Sequence, residues 1–177
     1  MLINKINQDF GSEYIISMAP VQSSLEINEN GLGGFIYKDL YNTKEGQRIN
    51  YFNTQFYFDY SFESFVTILN NGYPPEKIVV GSISSQNTSD CADEIKKIAQ
   101  HYPIFGGVFN WEYFDVEPSC DGWATMMKNI INRSTLDYQI ISINQMNQSN
   151  TSFSQYFYNY IRETYELFLY FVSSITA

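Results

Sequence analysis

Apolar and polar positions along this chain change their period again and again, and the changes mark its elements. Leu2, Ile3, Ile6 and Phe10 recur at helical spacing and stop at Gly11, which predicts an amphipathic helix. Tyr14–Ala19 is a short apolar run closed by Pro20 and predicts a strand. A polar, Gly-containing stretch over 23–34 leads to a short helix around Tyr37–Thr43. Ile49–Phe58 is strongly strand-like. In Ser61–Asn71, Phe62, Phe65, Val66 and Leu69 fall at i, i+3, i+4 and i+7, a helix face that Gly72 can cap.

The pattern then repeats. Pro74 and Pro75 break the chain before a third strand, Lys77–Ile83. Asp90–Gln100 reads as a helix with Cys91, Ile95, Ile98 and Ala99 on one side, Ile104–Trp111 as a fourth strand and Gly122–Ile131 as a further helix. Strand and helix alternating at this pitch predict βα units, hence an α/β fold with a parallel sheet. Beyond Arg133 the regularity fades: Asp137–Ile143 reads as a short strand or extended edge and 144–152 as a polar linker. Phe153–Ile175 reads as a terminal helix whose apolar stretch, Leu167–Val172, is too short to span a bilayer. The expected division is a domain over 1–133, a linker or edge segment over 134–152 and a C-terminal helix over 153–177.

Strand residues alternate faces, so Asn53, Gln55 and Tyr57 share one side of the second strand and Phe52, Thr54, Phe56 and Phe58 the other. The apolar side suits a helix layer. The amide, amide and phenol on the opposite side need partners or water, because burying such groups unpaired costs roughly 1–3 kcal/mol each. A closed parallel barrel offers a hydrated interior near the C-terminal strand ends; a partly exposed strand face is the alternative. On the fourth strand Gly107, Phe109 and Trp111 share a face, with Trp111 last. Its indole can floor a sugar subsite or plug a barrel end.

Charge and composition narrow the partners. A net charge of −9 and a pI near 4.4, with no Lys/Arg cluster, exclude a nucleic-acid partner. Cys91 and Cys120 are too few for a disulfide framework or a zinc site, and whether they pair is left open. The single His101 lacks the partners of a metal site or a Ser-His-Asp triad, so neither metal nor cofactor is expected. Phe, Tyr and Trp make up 18% of the chain, an excess that AT-rich codons alone can supply, so it decides nothing. Four N-x-S/T sequons, at Asn87, Asn132, Asn147 and Asn150, carry little weight in so Asn-rich a chain. The amphipathic start reads as part of a domain rather than as a targeting segment.

Four runs, Met18–Val21 (MAPV), Asn53–Phe58 (NTQFYF), Pro74–Gly81 (PPEKIVVG) and Phe105–Phe114 (FGGVFNWEYF), together resemble glycoside hydrolase family 18. They stand in the order and spacing of its fifth to eighth strands, over about residues 1–130. The resemblance to this family of chitinases and endo-β-N-acetylglucosaminidases implies half of a (β/α)8 barrel. It further implies retaining hydrolysis of β-1,4-linked N-acetylglucosamine polymers, in which the sugar's own acetamido oxygen attacks the anomeric carbon. Position by position, it implies that Tyr57 contacts the acetamido oxygen, Gln55 stands beside it, Trp111 lies beneath the sugar and Met18 belongs to the pocket wall. Asn53, on the Gln55 face, joins them as a candidate substrate contact.

The chain departs from the family pattern in three places. Phe58 stands where the family usually has Asn, and Phe109 where it often has Met. The DxxDxDxE motif that carries the family's proton donor is absent from the sequence, whose start corresponds to the helix after the fourth strand. Losing a general acid removes about 10²–10⁴-fold of rate. Glu112, Asp115 and Glu117 follow Trp111 but sit poorly for replacing it, Glu112 pointing off the Trp111 face by alternation. The expectation is a chitinase-like fragment, inactive alone, with a non-catalytic chitin- or glycan-binding module as the alternative. Its partners would be N-acetylglucosamine-containing saccharides and a missing N-terminal half or a second copy. Family habit implies secretion, no signal segment is visible, and the compartment is left open.

Overall fold

The computed structural model describes residues 2–112 and 114–149. Two compact units divide the chain, Met1–Thr135 and Leu136–Ala177. The first holds a four-stranded, all-parallel sheet in the order β1-β2-β3-β4: β1 Ser17–Met18, β2 Tyr51–Gln55, β3 Ile78–Ile83 and β4 Gly107–Trp111. Helices alternate with the strands: α1 Leu2–Phe10 before β1, α2 Ser23–Glu26 and α3 Tyr37–Tyr41 before β2, α4 Phe62–Asn70 before β3 and α5 Thr88–His101 before β4. α6 spans Cys120–Ser149. The expected α/β class and parallel sheet are thus present.

The strand order runs in sequence without reversal, so the described sheet has no switch point of the doubly wound kind. Right-handed crossovers then place successive helices on one face. That face carries the core. Phe52, Thr54 and Phe56 of β2 and its continuation, and Ile78 and Val80 of β3, are buried against Phe65 and Ile68 of α4 and Ile95, Ile98 and Ala99 of α5. Removing a side chain such as Phe56 from this layer would cost about 3–5 kcal/mol.

Local chemistry sets the helix limits. Ser61 caps α4 by accepting from Ser64 N at 3.1 Å, and Gly72, at φ 83°, ends that turn with its amide on Leu69 O. Asn87 caps α5, its Oδ1 accepting from Ser89 and Asp90 amides at 2.9 and 3.1 Å. This cap starts α5 at Thr88, two residues before the Asp90 expected from periodicity. His101 closes α5 with Nδ1 2.8 Å from Lys97 O.

The reading of Asp137–Ile143 as a strand or edge is corrected: these residues, and the polar 144–149, are helical within α6. Leu136, Ile140 and Ile143 also recur at i, i+4 and i+7, and a run this short fits either period. Continuing an existing helix adds a hydrogen bond per residue, whereas a strand needs a partner edge. The expected C-terminal helix over 153–177, with the remaining linker residues 150–152, lies outside the described residues.

Candidate functional site

The sheet's second face differs in kind from the first. Along β2 and just past it, Asn53, Gln55 and Tyr57 are half-buried, alternating with fully buried neighbours, as the polar row predicted. Register carries this row across the sheet. Gln55 stands opposite Gly81, Gly81 opposite Phe109, and Ile83 opposite Trp111. Gln55, Phe109 and Trp111 therefore share one face, and Trp111 ends β4 at the C-terminal edge of the sheet, 60% exposed. Beside Trp111 the peptide bond to Glu112 is cis.

Each candidate meets a different environment. The Gln55 carboxamide donates to Ala19 O at 2.7 Å, tying β2 to the segment after β1. The Tyr57 phenol is partly desolvated, which holds its pKa above the ordinary value, and its hydroxyl makes no hydrogen bond among the described residues. It is free to bond a ligand. Phe109 lays its ring over Gly81, whose missing side chain makes the room. Phe58, where the family pattern has Asn, is 89% exposed.

The register does not bring Met18 to this face. Met18 pairs with Phe52, so it points to the helix-covered side, where it packs against the core. There it lines a different, mostly apolar hollow of about 790 Å³ with Leu2, Ile3 and Ile6 of α1 and Phe35 and Leu40 near α3. Val21, paired with Gln55 by an isolated bridge, falls on the polar face instead.

The carboxylates after β4 lie in the open. Glu112, Asp115 and Glu117 are all exposed, and Glu112 is held through its backbone, its amide donating to Ser84 Oγ at 2.8 Å. No group of three or more His, Cys, Asp or Glu capable of holding a metal occurs among the described residues. No described helix is long and apolar enough to cross a membrane. Cys91 is a buried free thiol whose pKa burial pushes up to about 11, beyond useful nucleophilicity.

Sequence reasoning missed the turn after β3. Ser84 and Gln86 reach from it to the ends of β4 and β2 respectively. Their only signal was a polar run, Ser84–Asn87, following the apolar β3, and such a run reads as loop without naming partners.

No protein-family model matches the chain, and no curated protein matches it. Two solved structures do. A fungal endo-β-N-acetylglucosaminidase from glycosyl hydrolase family 18 is 32% identical, with a TM-score of 0.63 over 75% of this chain and 50% of its own. A chitinase from Aspergillus fumigatus is 27% identical, with a TM-score of 0.60 over 72% of this chain and 51% of its own. The chain spans about half the length of these relatives. In sequence and backbone alike, then, it resembles glycoside hydrolase family 18 over that half.

Proposed function

We propose that this chain is the sugar-facing wall of a chitinase-like barrel, four consecutive staves of a (β/α)8 cylinder, and that it binds N-acetylglucosamine-containing saccharides without cleaving them. The carrying observation is the placement of Gln55, Phe109 and Trp111 on one sheet face opposite the helices, with Trp111 at the C-terminal edge. The unreversed strand order supports staves of a barrel over a doubly wound sheet. The relatives' names, an endo-β-N-acetylglucosaminidase and a chitinase, support the saccharide class.

In this reading the indole of Trp111 stacks on pyranose C–H groups and the Tyr57 hydroxyl, which has no hydrogen-bond partner among the described residues, donates to an acetamido oxygen. Gln55 is committed to Ala19 and stiffens the wall. Asn53 adds an amide lower in the same row. The family's DxxDxDxE run does not occur in this sequence and Glu112, Asp115 and Glu117 are exposed, which supports binding without cleavage by this stretch. Calorimetric titration with N-acetylglucosamine oligomers tests the proposal. Saturable binding that Trp111→Ala reduces at least tenfold supports it; absence of binding by the wild-type chain ends it, and turnover of chitin oligomers at the rate of an intact chitinase ends the claim of inactivity.

One observation favours a second reading, in which a complementary N-terminal half or a second copy completes the cylinder. β1 and β4 each pair on one side, and Phe10, Tyr14 and Ile15 near the one edge and Ile104 near the other are exposed. Sedimentation of the purified chain decides it: a stable, monodisperse monomer that gains nothing from an added N-terminal half refutes completion.

A further inference from the structure

Tyr57 and Trp111 come from strands that do not touch, since β3 lies between β2 and β4. Tyr57 lies beyond its ladder, and Trp111 is the last residue of its own, paired with Ile83. β2 ends at Gln55, two residues short of Tyr57, and the last main-chain bond from that segment to β3 is Phe56 N to Gly81 O at 2.9 Å. Trp111 is the terminal residue of an edge strand. Something else must hold both.

The turn leaving β3 does this with two side chains. Gln86 uses both ends of its carboxamide: Oε1 accepts from Ile83 N at 2.8 Å, while Nε2 donates to Phe56 O at 2.9 Å and lies 3.4 Å from Tyr57 O. A side-chain amide thus continues the ladder that β2 has abandoned. Ser84 grips the other strand. Its amide donates to Trp111 O at 2.7 Å, and its hydroxyl accepts from Glu112 N at 2.8 Å. The single hydroxyl proton is shared between Asn110 Oδ1 and Glu112 O, each 3.0 Å away. Asn110 in turn donates to Ser82 Oγ at 2.8 Å. The residues on both sides of Trp111 are therefore anchored to β3 and its turn.

We propose that Ser84 and Gln86 are positioning residues that fix Trp111 and Tyr57, respectively, before any ligand arrives. The functional weight of this brace rests on the reading of Tyr57 and Trp111 as saccharide contacts; the brace itself does not. Ordering those backbones in advance removes a cost that binding would otherwise bear.

The test uses the whole chain labelled with 5-fluorotryptophan or ¹⁵N-tyrosine, with the Trp111 and Tyr57 signals assigned by their loss in Trp111→Phe and Tyr57→Phe respectively. Ser84→Ala is expected to shift or broaden the Trp111 fluorine signal and leave that of Trp123 in place, while Ser84→Thr, which keeps the hydroxyl, restores it. Gln86→Glu keeps the acceptor for Ile83 N but loses the donor, and is expected to move the Tyr57 amide signal; Gln86→Ala is the second variant should the charge unfold the turn. Oligosaccharide affinity should fall about three- to tenfold in Ser84→Ala and Gln86→Glu, with the denaturation midpoint of Ser84→Thr equal to wild type. Unmoved Trp111 and Tyr57 signals overturn the brace whatever the saccharide does. Moved signals in a chain that binds no oligomer uphold the brace and overturn the saccharide reading instead.

Discussion

Phe109 lies across Gly81, its ring in the space that a side chain at 81 would occupy. The two face one another in register on adjacent strands, so an aromatic on β4 is seated by an absence on β3. Gly81→Ala would drive a methyl into the ring, and the ring must leave or the strands must part. The expected loss is about 1–3 kcal/mol in urea denaturation, the range of overpacking. Combining it with Phe109→Ala should recover part of that loss. A Gly81→Ala chain as stable as wild type would show that the ring has another seat.

The Ser61 cap of α4 predicts a local effect. Its hydroxyl takes one of the amides that the first helical turn leaves unpaired. Ser61→Ala should lower stability by about 1 kcal/mol, and Ser61→Asp should restore it. Thermal denaturation measures both, with saccharide binding unchanged, because the cap lies at the helix layer.

Acid sensitivity follows from Glu94. Burial alone would raise its pKa, but hydrogen bonds from Lys97 at 2.5 Å and the Phe62 amide at 2.7 Å outweigh that and hold it below the ordinary 4.5. A carboxylate depressed in the fold contributes stability above its unfolded value and loses it as pH falls through the folded one. The wild-type advantage over Glu94→Gln should be roughly 1 kcal/mol at pH 7 after allowance for solvent screening, and should shrink once pH drops below 4.5. Paired melts across pH check this; an advantage that persists unchanged in acid contradicts it.

Cys91 should resist alkylation. It is 4% exposed and its thiol is pushed up to about 11 by burial, with Asp90 adding to the effect. In a Cys120→Ser background at pH 8, iodoacetamide should label Cys91 only on the timescale of unfolding, and fast in urea. Rapid labelling of the folded chain would place the thiol at the surface.

Most of the fold was legible in the sequence because its elements are strongly periodic. The alternation through Phe52–Tyr57 translates directly into one-sided burial. On α4, by contrast, only Phe65 of the expected face is buried, Phe62, Val66 and Leu69 being half-buried and Ile68 taking the second core position. The site was half legible. Alternation alone aligned Gln55 with Tyr57 and Phe109 with Trp111, yet the partner of each row depends on register between strands, which no single strand encodes. Met18 shows the limit: its neighbourhood in sequence suggested the pocket wall, while its pairing with Phe52 assigns it to the core side. Ser84 and Gln86 were invisible for a related reason, since their side chains bond backbone oxygens 28–30 positions away. Asp137–Ile143 failed differently, a run too short to distinguish two periods.

The one-sided burial of β2 also bears on how such a chain can change. Phe52, Thr54 and Phe56 answer to folding, and a substitution among them is felt throughout the domain. Asn53 and Tyr57, interleaved with them, touch little of that interior. A lineage can therefore alter what this strand recognises one residue at a time while its folded population stays constant, so recognition here is free to diverge faster than architecture.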